Sequence, residues 1–181
     1  ESAFYNQYTL TSISLPESIR SIGDKAFGKC TKLKKINIPA SVTEMGKYVF
    51  EECNSLPVTD NIIYADTYLV KISNKSLYSV TGNMIKEGTR WIGEDAFYDY
   101  DNMSSIVIPE GVLKIGESAF SHCDNLSRVT IPGSLTSIGE SAFYECRKIT
   151  TANITDLTAW CNINFAYCAS PFSSYTTSRL V

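Results

Sequence analysis

The chain of 181 residues is 44% hydrophobic and 19% charged, an ordinary balance for a folded protein and too apolar for a disordered one. Its net charge of −3 and pI near 5.2, with no basic block, argue against nucleic acid or an anionic membrane surface as a main partner. No apolar run is long enough to span a bilayer, so no membrane insertion is expected of this segment, and no signal-like leader opens it.

The first residues, ESAF, already belong to a phrase that recurs as SIGDKAFGKC at 21–30, KIGESAFSHC at 114–123 and SIGESAFYEC at 137–146. The step is 23 residues. Phe4, Phe27 and Phe50 form one series, Phe97, Phe120 and Phe143 a second, and the two are offset by one residue. A fixed period in this range predicts a repeat solenoid with about 23 residues per coil. Because the chain starts inside the phrase and stops at SRLV without a polar cap, it is expected to be part of a longer protein.

The coils 10–32 and 33–55 define the template L-x-x-I-x-I-P-x-x-V-x-x-I-G-x-x-A-F-x-x-C. Ile13 and Leu15, then Ile36 and Ile38, alternate with polar residues as in a strand with one buried face. Pro16 and Pro39, which lack a backbone donor, should end that ladder. Gly23 and Gly46, repeated at Gly93, Gly116 and Gly139, predict either positive φ or a close backbone approach at one point of every coil. The acidic residue that follows (Asp24, Glu94, Glu117, Glu140; Lys47 is the exception) fits the first turn of a short helix or 3₁₀ segment carrying Ala-Phe. A calcium-binding edge is the alternative, which one isolated carboxylate per coil disfavours. The phenylalanines should stack as core. Cys30, Cys53, Cys123 and Cys146 share one slot, where reduced buried thiols are expected over disulfides between neighbouring coils.

Residues 56–79 fail the template, and the runs IIYA, YLVKI and LYSV predict a hairpin or three-stranded meander. This insert is expected to project as a flap, with the 23-residue register continuing from Ser55 to Val80 if it were removed. The coil 80–102 is worn, with Asn83 in an inward aliphatic position and Lys86 in place of Pro, whereas 103–125 and 126–148 are regular. From 149 to 181 the pattern fades into an irregular coil. There TDLTAWCNINF predicts a helical turn capped by Thr155, with Leu157, Trp160 and Cys161 on one face; Cys161 and Cys168 are the pair best placed to oxidise.

No nucleotide-binding glycine motif and no C-x-x-C occurs, and His122 is the single histidine, in a slot otherwise held by Lys29, Glu52, Asp99 and Glu145. No catalytic site, metal or cofactor is expected.

The phrases SLPESIRSIGDKAFGKC, VIPEGVLKIGESAFSHC and TIPGSLTSIGESAFYEC resemble the BspA-like, or Treponema pallidum type, leucine-rich repeat family over about residues 1–155. The insert IIYADTYLVKI is similar to inserts in its bacterial members. The resemblance implies a single leucine-rich-repeat domain, a curved right-handed superhelix of short strands with a β-hairpin insert, in a secreted or cell-surface protein of a host-associated bacterium or protist that adheres to a host matrix or cell-surface protein. Binding would then use the exposed strand positions of the concave face: Ser12, Ser14, Lys35, Asn37, Ser105, Val107, Arg128, Thr130, Thr151 and Asn153. Because most of these are small and polar, without a large aromatic anchor, a non-catalytic scaffold or spacer within a larger surface protein is the competing expectation.

Overall fold

A computed structural model describes residues 1–76, 80–171 and 179–180. The chain winds into a β-solenoid whose coils contribute one strand to each of two parallel ladders, because apolar residues recur at two points of every 23-residue unit. The first ladder is made by Ser12–Ser14 with Lys35–Asn37 and, separately, by Val80–Gly82, Met103–Val107, Arg128–Ile131, Thr151–Ile154 and Arg179–Leu180. Its inward residues Ile36, Ile106, Val129 and Ala152 are buried. In the second ladder Ser21–Ile22 pairs Glu44–Met45, and Tyr68–Ile72, Trp91–Ile92, Lys114–Ile115, Ser137–Ile138 and Asn164–Phe165 run on in parallel. The four regular coils leave the first ladder just before Pro16, Pro39, Pro109 and Pro132.

No helix forms around the Ala-Phe step. Successive coils are instead tied there by backbone bonds such as Lys25 N–H to Lys47 carbonyl, 2.9 Å, Phe27 to Val49, 3.0 Å, and Phe120 to Ala142, 2.8 Å. This third ladder bends sharply because two non-glycine residues per coil adopt left-handed φ, for example Lys25 and Lys29, Ser118 and His122, or Ser141 and Glu145. Donation to the next coil satisfies every second N–H, an arrangement that a lone helical turn cannot offer.

The repeated glycines resolve the two alternatives in favour of close approach. A Cβ on Gly116 would lie 2.6 Å from the Glu94 nitrogen and the Gly93 carbonyl carbon, and one on Gly46 2.4 Å from the Asp24 nitrogen. Positive φ falls on other glycines, Gly82, Gly88 and Gly111.

Two phenylalanine rows stack face to face, Phe4–Phe27–Phe50 at 5.2 and 5.6 Å and Phe97–Phe120–Phe143 at 5.0 and 5.1 Å, with planes within 6° of parallel. All six cysteines are free thiols. The four repeat cysteines are buried and each donates to the phenylalanine carbonyl of the preceding coil: Cys30 to Phe4, Cys53 to Phe27, Cys123 to Phe97 and Cys146 to Phe120, at 2.9–3.1 Å. Burial pushes the Cys53 thiol up from its ordinary 9.0 to about 12. A raised folded-state pKa contributes stability that is complete below pH 9 and lost as pH rises toward 12. Cys53→Ala should therefore cost about 1–2 kcal/mol at neutral pH, mainly through a small cavity, since the Phe27 carbonyl keeps its bond from the Cys30 N–H, and should flatten the alkaline decline. Urea unfolding at a series of pH values checks both.

The segment 56–79 is not a projecting flap. Val58–Thr59, Ile62–Ala65 and Tyr68–Ile72 form an antiparallel meander whose last strand joins the second ladder, Tyr68 opposite Trp91 and Leu69 opposite Ile92. Because successive strand residues face opposite ways, the hairpin stands between two apolar cores. Tyr64, Leu69 and Ile72 pack with the Phe97–Phe143 side, while Ala65 and Tyr68 pack with the Phe27–Phe50 side. Phe50 ends its row edge-on against Tyr68, centroids 5.2 Å apart. The third run of the insert, LYSV, falls largely on 77–79, outside the described residues.

Asn83 does not point inward. Gly82 opposes Ile106 instead, a register shift between Met103 and Ser105 absorbs the difference, and Asn83 is exposed. The late helix spans Leu157–Cys161, and its cap is Asp156, whose carboxylate accepts from the Ala159 N–H at 3.0 Å. Thr155, expected in that role, bonds Glu110. Leu157 and Cys161 are exposed, and only Trp160 turns toward the fold, edge-on to Phe165 at 4.9 Å. Cys168 is half-buried. The end of the irregular coil, 172–178 and 181, lies outside the described residues.

Candidate binding surface and the break in the first ladder

Alternation along the first-ladder strands turns the polar positions outward, and parallel registration lines them up from coil to coil. Ser12 stands opposite Lys35 and Ser14 opposite Asn37; Ser105 opposes Arg128, which opposes Thr151; Val107 opposes Thr130, which opposes Asn153. Ser12, Ser14, Lys35, Asn37, Arg128 and Asn153 are exposed, whereas Ser105, Val107, Thr130 and Thr151 are half-covered by their neighbours. The ten positions therefore form two patches, of four and six residues, because Lys35–Asn37 and Val80–Gly82 are not paired with one another. A cleft of about 490 Å³ lies over the smaller patch, lined by Ser12, Ile13, Ser14, Lys35 and Asn37. Hydroxyls, amides and two long cations on a regular grid can hydrogen-bond and attract carboxylates, and they carry no nucleophile activated by a base.

Where the ladders break, carboxylates stand in for missing backbone carbonyls. Ile38 N–H, whose counterparts Leu15 and Ile108 donate to the next coil, donates to Asp66 Oδ2 at 2.7 Å. Tyr48 N–H, equivalent to Lys25 and Ser118, donates to Glu94 Oε2 at 2.9 Å, and the same oxygen accepts from the Tyr68 hydroxyl at 2.9 Å. Burial, with the Glu94 carboxylate beside it, holds the Tyr68 phenol well above its usual range.

Cations complete the seam. Arg90 donates to the Val42 and Ala40 carbonyls at 2.8 and 3.3 Å and lies over the Trp91 ring, with burial lowering its pKa. Lys114 Nζ reaches the Met45 carbonyl at 3.0 Å, and Lys47 pairs with Glu117 at 2.8 Å. Sequence reasoning missed Asp66, Glu94 and Arg90. Glu94 occupies the acidic slot of an ordinary coil, and Asp66 sits in a short turn, so neither carried a signal. The acidic slots do local work: Asp24 accepts from the Lys47 N–H at 2.8 Å, and Glu117 holds Lys47. Among the described residues no group of three or more His, Cys, Asp or Glu could hold a metal ion, and no helix is long and apolar enough to cross a membrane.

His122 is half-buried between the edges of Tyr98 and Tyr144, 5.5 and 5.7 Å away.

A family model described as the BspA type leucine rich repeat region matches the chain in six copies, over residues 1–82 and 90–177. No curated protein matches it. Among solved structures, a leucine-rich repeat protein from Eubacterium ventriosum is similar at 19% identity, with a TM-score of 0.56, over 100% of this chain and 62% of that one. The pneumococcal vaccine antigen PcpA is similar at 20% identity, with a TM-score of 0.50, over 88% of this chain and 55% of that one. The chain thus corresponds to less than two thirds of the length of either, and at these identities the likeness concerns the fold.

Proposed function

The chain belongs to the BspA-type leucine-rich repeat family, and from that premise we propose that it is a non-catalytic protein-binding module of a secreted or cell-surface protein, acting in adhesion to a host matrix or cell-surface protein. The observation that carries the reading is the registered grid of polar side chains on the first ladder, above all the row Ser105–Arg128–Thr151. Individual contacts on such a grid are weak, and the repeated array supplies area. Similarity to the fold of PcpA, named as a vaccine antigen, supports a surface location.

Lys35 and Arg128, both exposed, are the long cationic reaches among the ten positions. Changing both to Glu should weaken capture of an acidic host matrix protein about tenfold at low salt and less at high salt, because exposed charges are screened. Melting should be unchanged. Surface plasmon resonance against immobilised matrix and plasma proteins measures this; no saturable binding by the unaltered chain would favour the second reading, a scaffold or spacer. That reading draws on one feature, the absence of a large aromatic anchor among the ten positions.

A further inference from the structure

Both ladders break after the second coil, Glu44–Met45 pairing among the described residues only with Ser21–Ile22. The hairpin strand Tyr68–Ile72 extends the later strands of the second ladder, whereas in the first Lys35–Asn37 and Val80–Gly82 each end a sheet. In a parallel ladder alternate residues of one strand bond to opposite neighbours. Lys35 N–H donates to the Thr11 carbonyl and the Asn37 carbonyl accepts from Leu15 N–H, so Ile36 and Ile38 direct their backbone groups to the other edge. Asp66 occupies Ile38. Among the described residues no strand pairs with Ile36 on that side, whereas the equivalent Ile106 and Val129 face a strand of the next coil.

This edge opens into a cleft of about 180 Å³ that Ile36 lines together with Lys34, Lys35, Tyr64, Asp66 and Lys86. All three lysines are exposed. Lys86 lies 4.2 Å from the centre of the Tyr64 ring and donates to the Asp66 carbonyl at 2.8 Å, which holds its charge at the cleft wall. The single carboxylate, Asp66, is engaged by Ile38 and leaves the cleft cationic.

We infer that this unpaired edge accepts an extended acidic segment of a partner protein as an added strand. The backbone of Ile36 and the Lys34 carbonyl supply the template, and the three lysines select acidic side chains, the combination on which strand-addition sites depend. A second copy of this chain would bring lysines against lysines, and charge at a sheet edge commonly blocks such pairing. The surface shares Lys35 with the outward strand positions, so its test relies on Lys34 and Lys86, which lie outside that set, and either reading can fail alone.

The test uses the whole chain and a fluorescein-labelled hexapeptide alternating Glu and Val, compared with its Lys/Val counterpart and with an acidic version N-methylated at every second residue. Anisotropy should show saturable binding of the acidic peptide, with both comparison peptides weaker by at least about tenfold, the first through charge and the second through lost backbone bonds. Lys34→Glu with Lys86→Glu should weaken binding to a similar extent while far-UV circular dichroism is unchanged, and Arg128→Glu should alter it by less than about twofold. The Ile36 amide should exchange more slowly with peptide bound. Three outcomes would overturn the proposal: non-saturable binding, indifference to N-methylation, or protection of Ile36 through concentration-dependent dimerisation without peptide. Failure of the matrix-protein capture with the peptide result intact would leave it standing.

Discussion

Replacing Gly116 with valine should destabilise the protein by more than about 2 kcal/mol. A Cβ there would sit 2.6 Å from the backbone nitrogen of Glu94 and 2.8 Å from the Gly93 carbonyl oxygen, atoms held by the neighbouring coil. Backbone cannot turn aside as a flexible side chain can, so the coils must separate. Separation would lengthen the bond from Gly116 N–H to the Ile92 carbonyl, 2.8 Å, and spread the Phe97–Phe120 stack. Gly111→Ala is the matched comparison. It has positive φ, +95°, but nothing within 4 Å of the added carbon, so its cost should be backbone strain alone, about 1 kcal/mol. Chemical denaturation should rank valine at 116 well below alanine at 111; equal midpoints would refute the close-contact account.

Deleting residues 56–79 should lower the melting temperature by at least about 10 °C or abolish a single cooperative transition. The arithmetic of the sequence favours the opposite result, because removing 24 residues brings Phe50 and Phe97 to a 23-residue step. The tertiary structure reverses that expectation. Ile62, Tyr64, Tyr68, Leu69 and Ile72 are all buried, and a large apolar side chain contributes on the order of 1.5–3 kcal/mol when withdrawn from water. Deletion also removes Asp66 from Ile38 N–H and Tyr68 from the end of the phenylalanine row. What remains must join coil 33–55 to a strand that offers Gly82 to the core and leaves Asn83 outside. Differential scanning calorimetry decides the matter; one transition within a few degrees of the parent would return the segment to a dispensable flap.

Much of this protein was fixed by the 23-residue period. Phe27 and Phe50, Ile36 and Ile106, Cys53 and Cys146 are inward because a residue type recurring at one point of every coil must meet its own kind in the coil above, and only apolar groups and their small donors are stable there. The outward strand positions, from Ser12 to Asn153, followed from the same alternation. The tertiary structure alone decided what happens where the period fails. Whether 56–79 hangs from the stack or divides its core depends on contacts such as that of Tyr68 with Phe50, partners whose separation is not the repeat step. The carboxylates that close the broken ladder, Asp66 and Glu94, look in sequence like any turn or surface acid. They become structural because a buried N–H that loses its carbonyl must find another acceptor, and which acceptor lies within reach is known only once the two cores are packed.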